Sequence, residues 1–314
     1  MGDFDNKPNF CVDSHSPRRL TFIGGGHLAQ ALVHGIYAQS PWASSCKVSI
    51  TARRSEHVKE LQVRFPHAFV TCNNIDSAIW VPAQGDRDGS HTLIICTRPA
   101  DVPAVAQEIS PILNDMDENV RPTVMTMCPG IVIKQLEDWL PMGTAIVRSM
   151  PNTPVGCCQG ATALVPNKHA LPRINGVQKM LCDVSPRVCV LEEEKHLDVV
   201  AAIAGSAPAY FYYMIEALVL AGEAHGLSND AAQSLVTQSC LGAGMLARDS
   251  NRPTATLRQE VCVPGGSTEK AIGCLKTSEF HKLIGYAVDT SVKANRAMRN
   301  VNSDGSRLNS EQNQ

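Results

Sequence analysis

The sequence predicts a doubly wound, parallel α/β domain followed by an all-helical domain. Three observations carry that reading. Through the first half, short and nearly uninterrupted apolar runs alternate with helical patterns, as strands covered on both faces by crossover helices require. A glycine-rich turn joins the first such run to the first helix. From about Glu192 the strand-like runs cease, and Ala, Leu, Met and Gly recur at helical spacing.

Residues 1–16 are polar and aperiodic and read as a disordered tail. Leu20–Ile23 is the first strand and Leu28–Tyr37 the first helix, and Val48–Thr51 is the second strand, with a helix over Ser55–Val63. Ala68–Val70, Thr92–Cys96, Thr123–Met125 and Ala145–Val147 supply further strands, and a helix from Asp101 to Leu113 follows Thr92–Cys96. The polar stretches Gln84–Ser90 and Asn114–Pro122 fall between elements as surface loops. This places a sheet domain over residues 17–193, a helical domain over 194–299 and a second disordered tail over 300–314. The helical domain is read from Leu197–Ala204, Ala209–His225, Asp230–Arg248 and Phe280–Met298. Its small residues, Ala217, Ala221, Gly222, Gly242, Ala243 and Gly244, suit close helix–helix approach, often between subunits.

Composition excludes several classes. The 28 basic and 30 acidic residues nearly cancel, which removes the electrostatic case for a nucleic-acid or membrane-surface partner. The apolar stretch Ile203–Gly222 carries Ser206, Pro208 and Glu216 and reads as a buried helix, not a bilayer span. The 12 cysteines are scattered, without CxxC and without zinc-ligand spacing, so free buried thiols in a reducing compartment are expected, and no metal. Cys157-Cys158 reads as part of a loop or as a redox-active pair. The first residues show no myristoylation pattern, apolar signal core or acid-poor transit sequence. Cytoplasm is the expectation.

Gly24-Gly25-Gly26-His27-Leu28-Ala29 follows a strand and opens a helix, the context in which G-x-G-x-x-[G/A] binds a dinucleotide. Gly24 serves the tight turn, Gly26 lets the backbone approach a pyrophosphate, and Ala29 lets the helix pack on the strand. After the second strand, the acid that bonds the ribose 2′-OH in NAD sites is replaced by Arg53-Arg54-Ser55. These residues suit a 2′-phosphate, or else form a solvated basic turn, and NADP(H) is favoured over NAD(H). The second informative loop is Val261-Cys262-Val263-Pro264-Gly265-Gly266-Ser267-Thr268, ahead of another helix. It can hold a small carboxylate on backbone N–H groups, or Ser267 and Thr268 are simply N-caps. Gly205-Ser206-Ala207-Pro208-Ala209 reads as the start of a helix. No nucleophile elbow or triad stands out, and no Lys or His sits where a hydroxy-acid dehydrogenase needs a base. A protonated imine is already electrophilic, so the missing base points to reduction of a C=N bond.

Together these segments, with Arg148-Ser149-Met150-Pro151-Asn152-Thr153-Pro154, Gly160-Ala161-Thr162 and Leu241-Gly242-Ala243, make a chain that resembles the pyrroline-5-carboxylate reductase family from about Arg19 to Met298. The resemblance implies a Rossmann-like domain binding NADPH, with NADH possible, and a helical domain forming a homodimer, often assembled into a decamer. It implies 1-pyrroline-5-carboxylate as substrate and L-proline as product. It extends the cofactor set to His27, Leu28, Thr97, Arg98 and Pro99, with Asn152 and Pro154 flanking the nicotinamide. The substrate carboxylate would sit on Gly265, Gly266 and Ser267, Thr268 would bond the ring nitrogen as the catalytic residue, and Ala207 would line the place where the two domains meet.

Against the family pattern, Cys96-Thr97-Arg98-Pro99 replaces A-V-K-P, Pro129-Gly130 replaces A-G, Ala207 replaces a glycine and Cys262-Val263 replaces a hydroxyl residue. Two other readings therefore stand beside the reductase: a related NADP-dependent reductase of another cyclic imine, and a non-catalytic NADPH-binding homologue.

Overall fold

The computed structural model describes residues 19–81 and 90–303, without the side chains of 299–303. The tail at 1–16, Cys11, loop residues 84–89 and the chain beyond 303 lie outside the described residues.

In chain order the elements are β1 (Arg19–Ile23), α1 (His27–Gln39), β2 (Lys47–Thr51), α2 (Ser55–Arg64), β3 (Phe69–Thr71), α3 (Ser77–Trp80), β4 (His91–Ile95), α4 (Val102–Asp115), β5 (Thr123–Thr126), α5 (Ile133–Trp139), β6 (Ile146–Met150), β7 (Ala161–Pro166), α6 (Ile174–Cys182) and β8 (Arg187–Val190). The helical continuation is α7 (Leu197–Val200), α8 (Ala207–Ala224), α9 (Asn229–Asp249), α10 (Thr254–Val261), α11 (Ser267–Thr277) and α12 (Phe280–Ser303).

The strands form one eight-stranded sheet, β3-β2-β1-β4-β5-β6-β7-β8. Side chains alternate across it, as the period of a strand demands. Leu20, Phe22 and Ile94 face one layer with Leu32 and Ile36 of α1, Leu61 of α2 and Met180 of α6. Ile23, Leu93 and Ile95 face the other, with Trp80 of α3, Ile109 of α4 and Leu136 of α5. The strands β1, β4 and β5 in the middle of the sheet are buried throughout because both faces are covered.

The structure corrects three expectations. The sheet is not wholly parallel, because β7 runs antiparallel to β6. A 3₁₀ turn over Thr153–Cys157 joins them without a crossover helix, and a short link returns a neighbouring strand in the opposite direction. The expected helix Leu197–Ala204 is α7 followed by a π-turn over Ala201–Gly205. Ile203–Gly222 is not a buried helix either: in α8 only Val219 is buried. Of the described cysteines, all free, Cys46 and Cys128 are buried, and Cys96, Cys158, Cys182, Cys240 and Cys262 are partly so.

The chain divides into two compact units, one running to Gly205 and resuming at Val292, the other Ser206–Ser291. Within the second unit α8 lies against α9, where a Cβ on Gly222 would sit 3.2 Å from that of Ala232. Nothing lies within 4 Å of the equivalent point on Gly242 or Gly244. Phe211, Tyr212, Tyr213, Leu220, Leu235 and Leu246 are exposed there.

In the first unit, Arg148 of β6 is 3% exposed and donates to Glu194 Oε1 at 2.9 Å. The same oxygen accepts from the N–H of Ile133, which opens α5.

At the opposite end of the strands, His91 is buried and hydrogen-bonded through Nε2 to Thr21 Oγ1 at 3.0 Å. Burial, and then the charges of Arg19 and Lys47, hold its pKa well below the ordinary value. The folded protein therefore keeps His91 neutral where the unfolded chain would protonate it. That contribution to stability is complete above about pH 6.5 and is lost as pH falls below it. Thermal melts should show Tm falling between pH 7 and pH 5.5, with a shallower fall in His91→Gln. Equal slopes for the two proteins would remove His91 from the pH response.

Candidate functional site

The strand order reverses beside β1: β2 and β3 lie on one side, β4 and β5 on the other. In an open α/β sheet the crevice beyond the carboxyl ends of the strands at that reversal is the ligand site. The Gly24–Ala29 turn leaves β1 there.

Each glycine of the turn has a distinct constraint. Gly24 has φ +99°, and a Cβ on it would lie 3.0 Å from the carbonyl carbon and oxygen of Cys96. Its N–H donates to Thr51 O at 3.2 Å and Thr51 Oγ1 at 3.3 Å, which ties the turn to the end of β2. A Cβ on Gly25 would overlap Leu61 Cδ1 at 2.4 Å. Gly26 is different, with no atom within 4 Å of the point its Cβ would occupy. It caps α1 without a side-chain hydrogen bond, and the first turn holds no acid. The first amides of α1 therefore present positive potential over open space, which suits an anion. His27 is exposed, Leu28 is half-buried against the core, and Ala29 is fully buried under β1.

The segment after β4 forms the facing wall. Thr97 Oγ1 is buried with no hydrogen-bond partner, and Thr97 Cγ2 would lie 3.1 Å from a Cβ on Gly24. An orphaned buried hydroxyl beside the glycine turn fits a polar ligand. Beneath it, burial raises the Cys96 thiol strongly and pushes Cys128 up to about 11. Cys128 Sγ donates to Thr97 O at 3.1 Å. Both stay protonated at neutral pH, so neither supplies a thiolate nucleophile. Arg98 and Pro99 lead into α4. Arg98 Nε donates to Asp101 Oδ2 at 3.0 Å, and Arg53 Nη1 reaches Asp101 Oδ1 at 3.3 Å from the end of β2. Arg54 caps α2 and is exposed.

Asn152 and Pro154 follow β6. The Asn152 amide bridges two segments, with Oδ1 accepting from Ala161 N at 2.8 Å and Nδ2 donating to Ala204 O at 3.2 Å. Pro154 is the second residue of the 3₁₀ turn, and its carbonyl accepts from Gln159 N at 3.0 Å.

The second unit carries Ala207 and the Gly265–Thr268 loop. Ala207 opens α8 and is not among the residues with positive φ, so its methyl causes no backbone strain. Gly265 has φ +75°, and its N–H donates to Glu269 Oε2 at 2.7 Å. The Gly266 N–H donates to Val263 O at 2.9 Å, and a Cβ on Gly266 would lie 2.9 Å from that oxygen. The loop thus consumes both glycine amides in its own turn. α11 begins at Ser267 with no side-chain cap, and its first helical bond runs from Lys270 N to Gly266 O at 3.3 Å. The amides of Ser267 and Thr268 are left facing outward at the helix start.

Sequence reasoning missed Asp101, Glu269 and the bridging role of Asn152. The Arg98–Asp101 spacing is a readable i,i+3 signal, but the pairing with Arg53 spans two strands and has no local signature.

A model of the pyrroline-5-carboxylate reductase dimerisation domain matches residues 194–298. Delta-1-pyrroline-5-carboxylate reductase apf3 of Gibberella fujikuroi is 43% identical over 282 residues, covering 88% of this chain and 95% of the relative. The pyrroline-5-carboxylate reductase of Pseudomonas aeruginosa is 30% identical, covering 88% of this chain and 95% of the relative. Among solved structures, the Coxiella burnetii pyrroline-5-carboxylate reductase superposes with a TM-score of 0.78 at 28% identity, covering 89% of this chain and 97% of that one. The Plasmodium falciparum pyrroline carboxylate reductase with NADP bound shares the fold, with a TM-score of 0.72 at 23% identity over 90% of this chain and 99% of that one. With relatives this similar along nearly their whole length, the chain belongs to the pyrroline-5-carboxylate reductase family.

Proposed function

We propose that this chain is an NADPH-dependent oxidoreductase that reduces the C=N bond of 1-pyrroline-5-carboxylate to give L-proline, with NADH as a weaker substitute. The observation that carries the reading is 43% identity across 95% of a reductase of that name. In the nucleotide half, residues 17–193, the α1 amides from His27 to Ala29 would hold the pyrophosphate over Gly26, with Gly24 shaping the turn. Thr97 Oγ1, Arg98 and Pro99 would contact the nucleotide from the β4 side, and Arg53 and Arg54 would take the 2′-phosphate. When bound, the dihydronicotinamide supplies a hydride to C5 of the imine.

The chain's own part in that reaction is positioning and charge matching. In the helical half, residues 194–299, the Ser267 and Thr268 amides would hold the substrate carboxylate, in a loop shaped by Gly265 and Gly266. The Thr268 hydroxyl would accept the proton of the iminium nitrogen in a hydrogen bond, fixing the ring and keeping it protonated. Asn152 and Pro154 would wall the nicotinamide, and Ala207 would border the substrate.

A homodimer is part of the same proposal, any decamer being built from it. Residues 194–298 match a dimerisation domain, and α8 and α9 expose Phe211, Tyr213, Leu220, Leu235 and Leu246. By length and composition the helical run Glu194–Ala224 also meets the minimum for a bilayer span. Its π-turn, Pro208 and Glu216 suit a protein partner better. The free cysteines support a reducing compartment, and we place the protein in the cytoplasm.

The direct test is NADPH oxidation by purified protein with pyrroline-5-carboxylate, with NADH and other cyclic imines in parallel. Turnover fastest with NADPH and this substrate is expected. NADPH binding without any turnover would end the reductase reading. Thr268→Ala should lower kcat/KM about tenfold or more, equivalent to roughly 1.4 kcal/mol; an unchanged value would exclude Thr268 from the mechanism. Two glycine variants should separate folding from binding. Gly26→Ala should keep the wild-type Tm and weaken NADPH about tenfold. Gly24→Ala should cost about 1–3 kcal/mol of stability through its positive φ. Equal effects of the two on Tm would contradict the roles given to them.

A further inference from the structure

We propose that Asp101 is a specificity-determining residue that limits the preference for NADPH over NADH; the inference rests on the nucleotide site proposed above. Two guanidiniums from different strands converge on this one carboxylate. Arg53, at the end of β2, donates to Oδ1 at 3.3 Å. Arg98, at the end of β4, donates to Oδ2 through Nε at 3.0 Å and to Oδ1 through Nη2 at 3.4 Å. The arginine side chains are 72% and 69% exposed, and that of Asp101 is 23% exposed, lying under them. The strands that carry the trio lie on either side of β1.

A ribose 2′-phosphate and a ribose 2′-hydroxyl ask different things of this trio. The phosphate is held by positive charge, and Asp101 offsets one of the charges that Arg53 and Arg98 bring to it. The hydroxyl needs a hydrogen-bond acceptor, the role an acid plays at the end of the second strand in NAD sites, and Asp101 brings a carboxylate to that place from the β4 side. One residue thus weakens the phosphorylated cofactor and serves the unphosphorylated one. Asp101 also steadies the arginines, but exposed ion pairs gain little from such ordering. The charge it removes is therefore the larger effect.

The test is binding, read from nucleotide fluorescence with no imine present, so that it does not depend on turnover. Asp101→Asn keeps the shape and removes the charge. The ratio of NADH to NADPH dissociation constants should widen about threefold or more. The salt dependence of NADPH binding should steepen, because the variant leaves one more net positive charge at the site. Adding Arg53→Ala to that variant should return the ratio to the wild-type value or below. A ratio that is unchanged or narrower in Asp101→Asn would overturn the inference while leaving the nucleotide site standing. Wild-type protein that binds neither nucleotide would overturn the nucleotide site, and the role of Asp101 with it.

Discussion

The nucleotide half of this chain depends on one backbone contact. The turn after β1 lies so close to the end of β4 that a side chain on residue 24 would meet the Cys96 carbonyl at 3.0 Å. Only a glycine meets that limit and the φ of +99° together. Thr51 holds the same turn from the β2 side through two bonds to the Gly24 amide. The turn is therefore clamped between the strands where the sheet order reverses, and α1 starts at a fixed place above the crevice. The open space at Gly26, the orphaned Thr97 hydroxyl and the convergence of Arg53 and Arg98 are meaningful because that clamp fixes their common frame.

A second constraint fixes where the helical run departs from the sheet. Arg148 is almost fully buried on β6 and pairs with Glu194, and its other terminal nitrogen lies 4.0 Å from Asp198. Desolvating such a group offsets much of the attraction, so the pair adds little net stability when well-packed apolar residues are the alternative. Removing one partner is another matter and costs about 3–5 kcal/mol, because a charge is then stranded inside. The pair therefore defines position more than it adds stability. By also taking the Ile133 amide, Glu194 joins β6, α5 and the start of α7 at a single oxygen.

The parts legible in the sequence were those with local causes. The apolar runs of β1, β2 and β4 and the periodicity of α1 and α4 follow from burial on two faces and on one. The glycine turn follows from backbone sterics. β8 escaped because it is a mostly exposed edge strand of only four residues, and β7 because its reversal depends on the missing crossover. α8 misled, since its apolar character reflects a surface this chain does not cover by itself. At the site, the positions of Gly24, Gly26 and the α11 start could be anticipated. That the Gly266 amide is spent on Val263, or that Asp101 gathers two arginines, depends on tertiary geometry that no spacing encodes.

The sheet unit is discontinuous: the chain leaves it at Gly205 and re-enters at Val292. One bond made on return runs from Asn295 Nδ2 to the carbonyl of Asp198 at 3.2 Å. Units of this kind cannot be finished in the order in which a ribosome delivers them. All of Ser206–Ser291 must be synthesised before the last helix reaches its place beside α7. α7 thus waits, during translation, for a partner 97 residues further along the chain. A stop codon near residue 291 would accordingly strip a contact from the N-terminal unit, and not merely shorten the C-terminal end of the molecule.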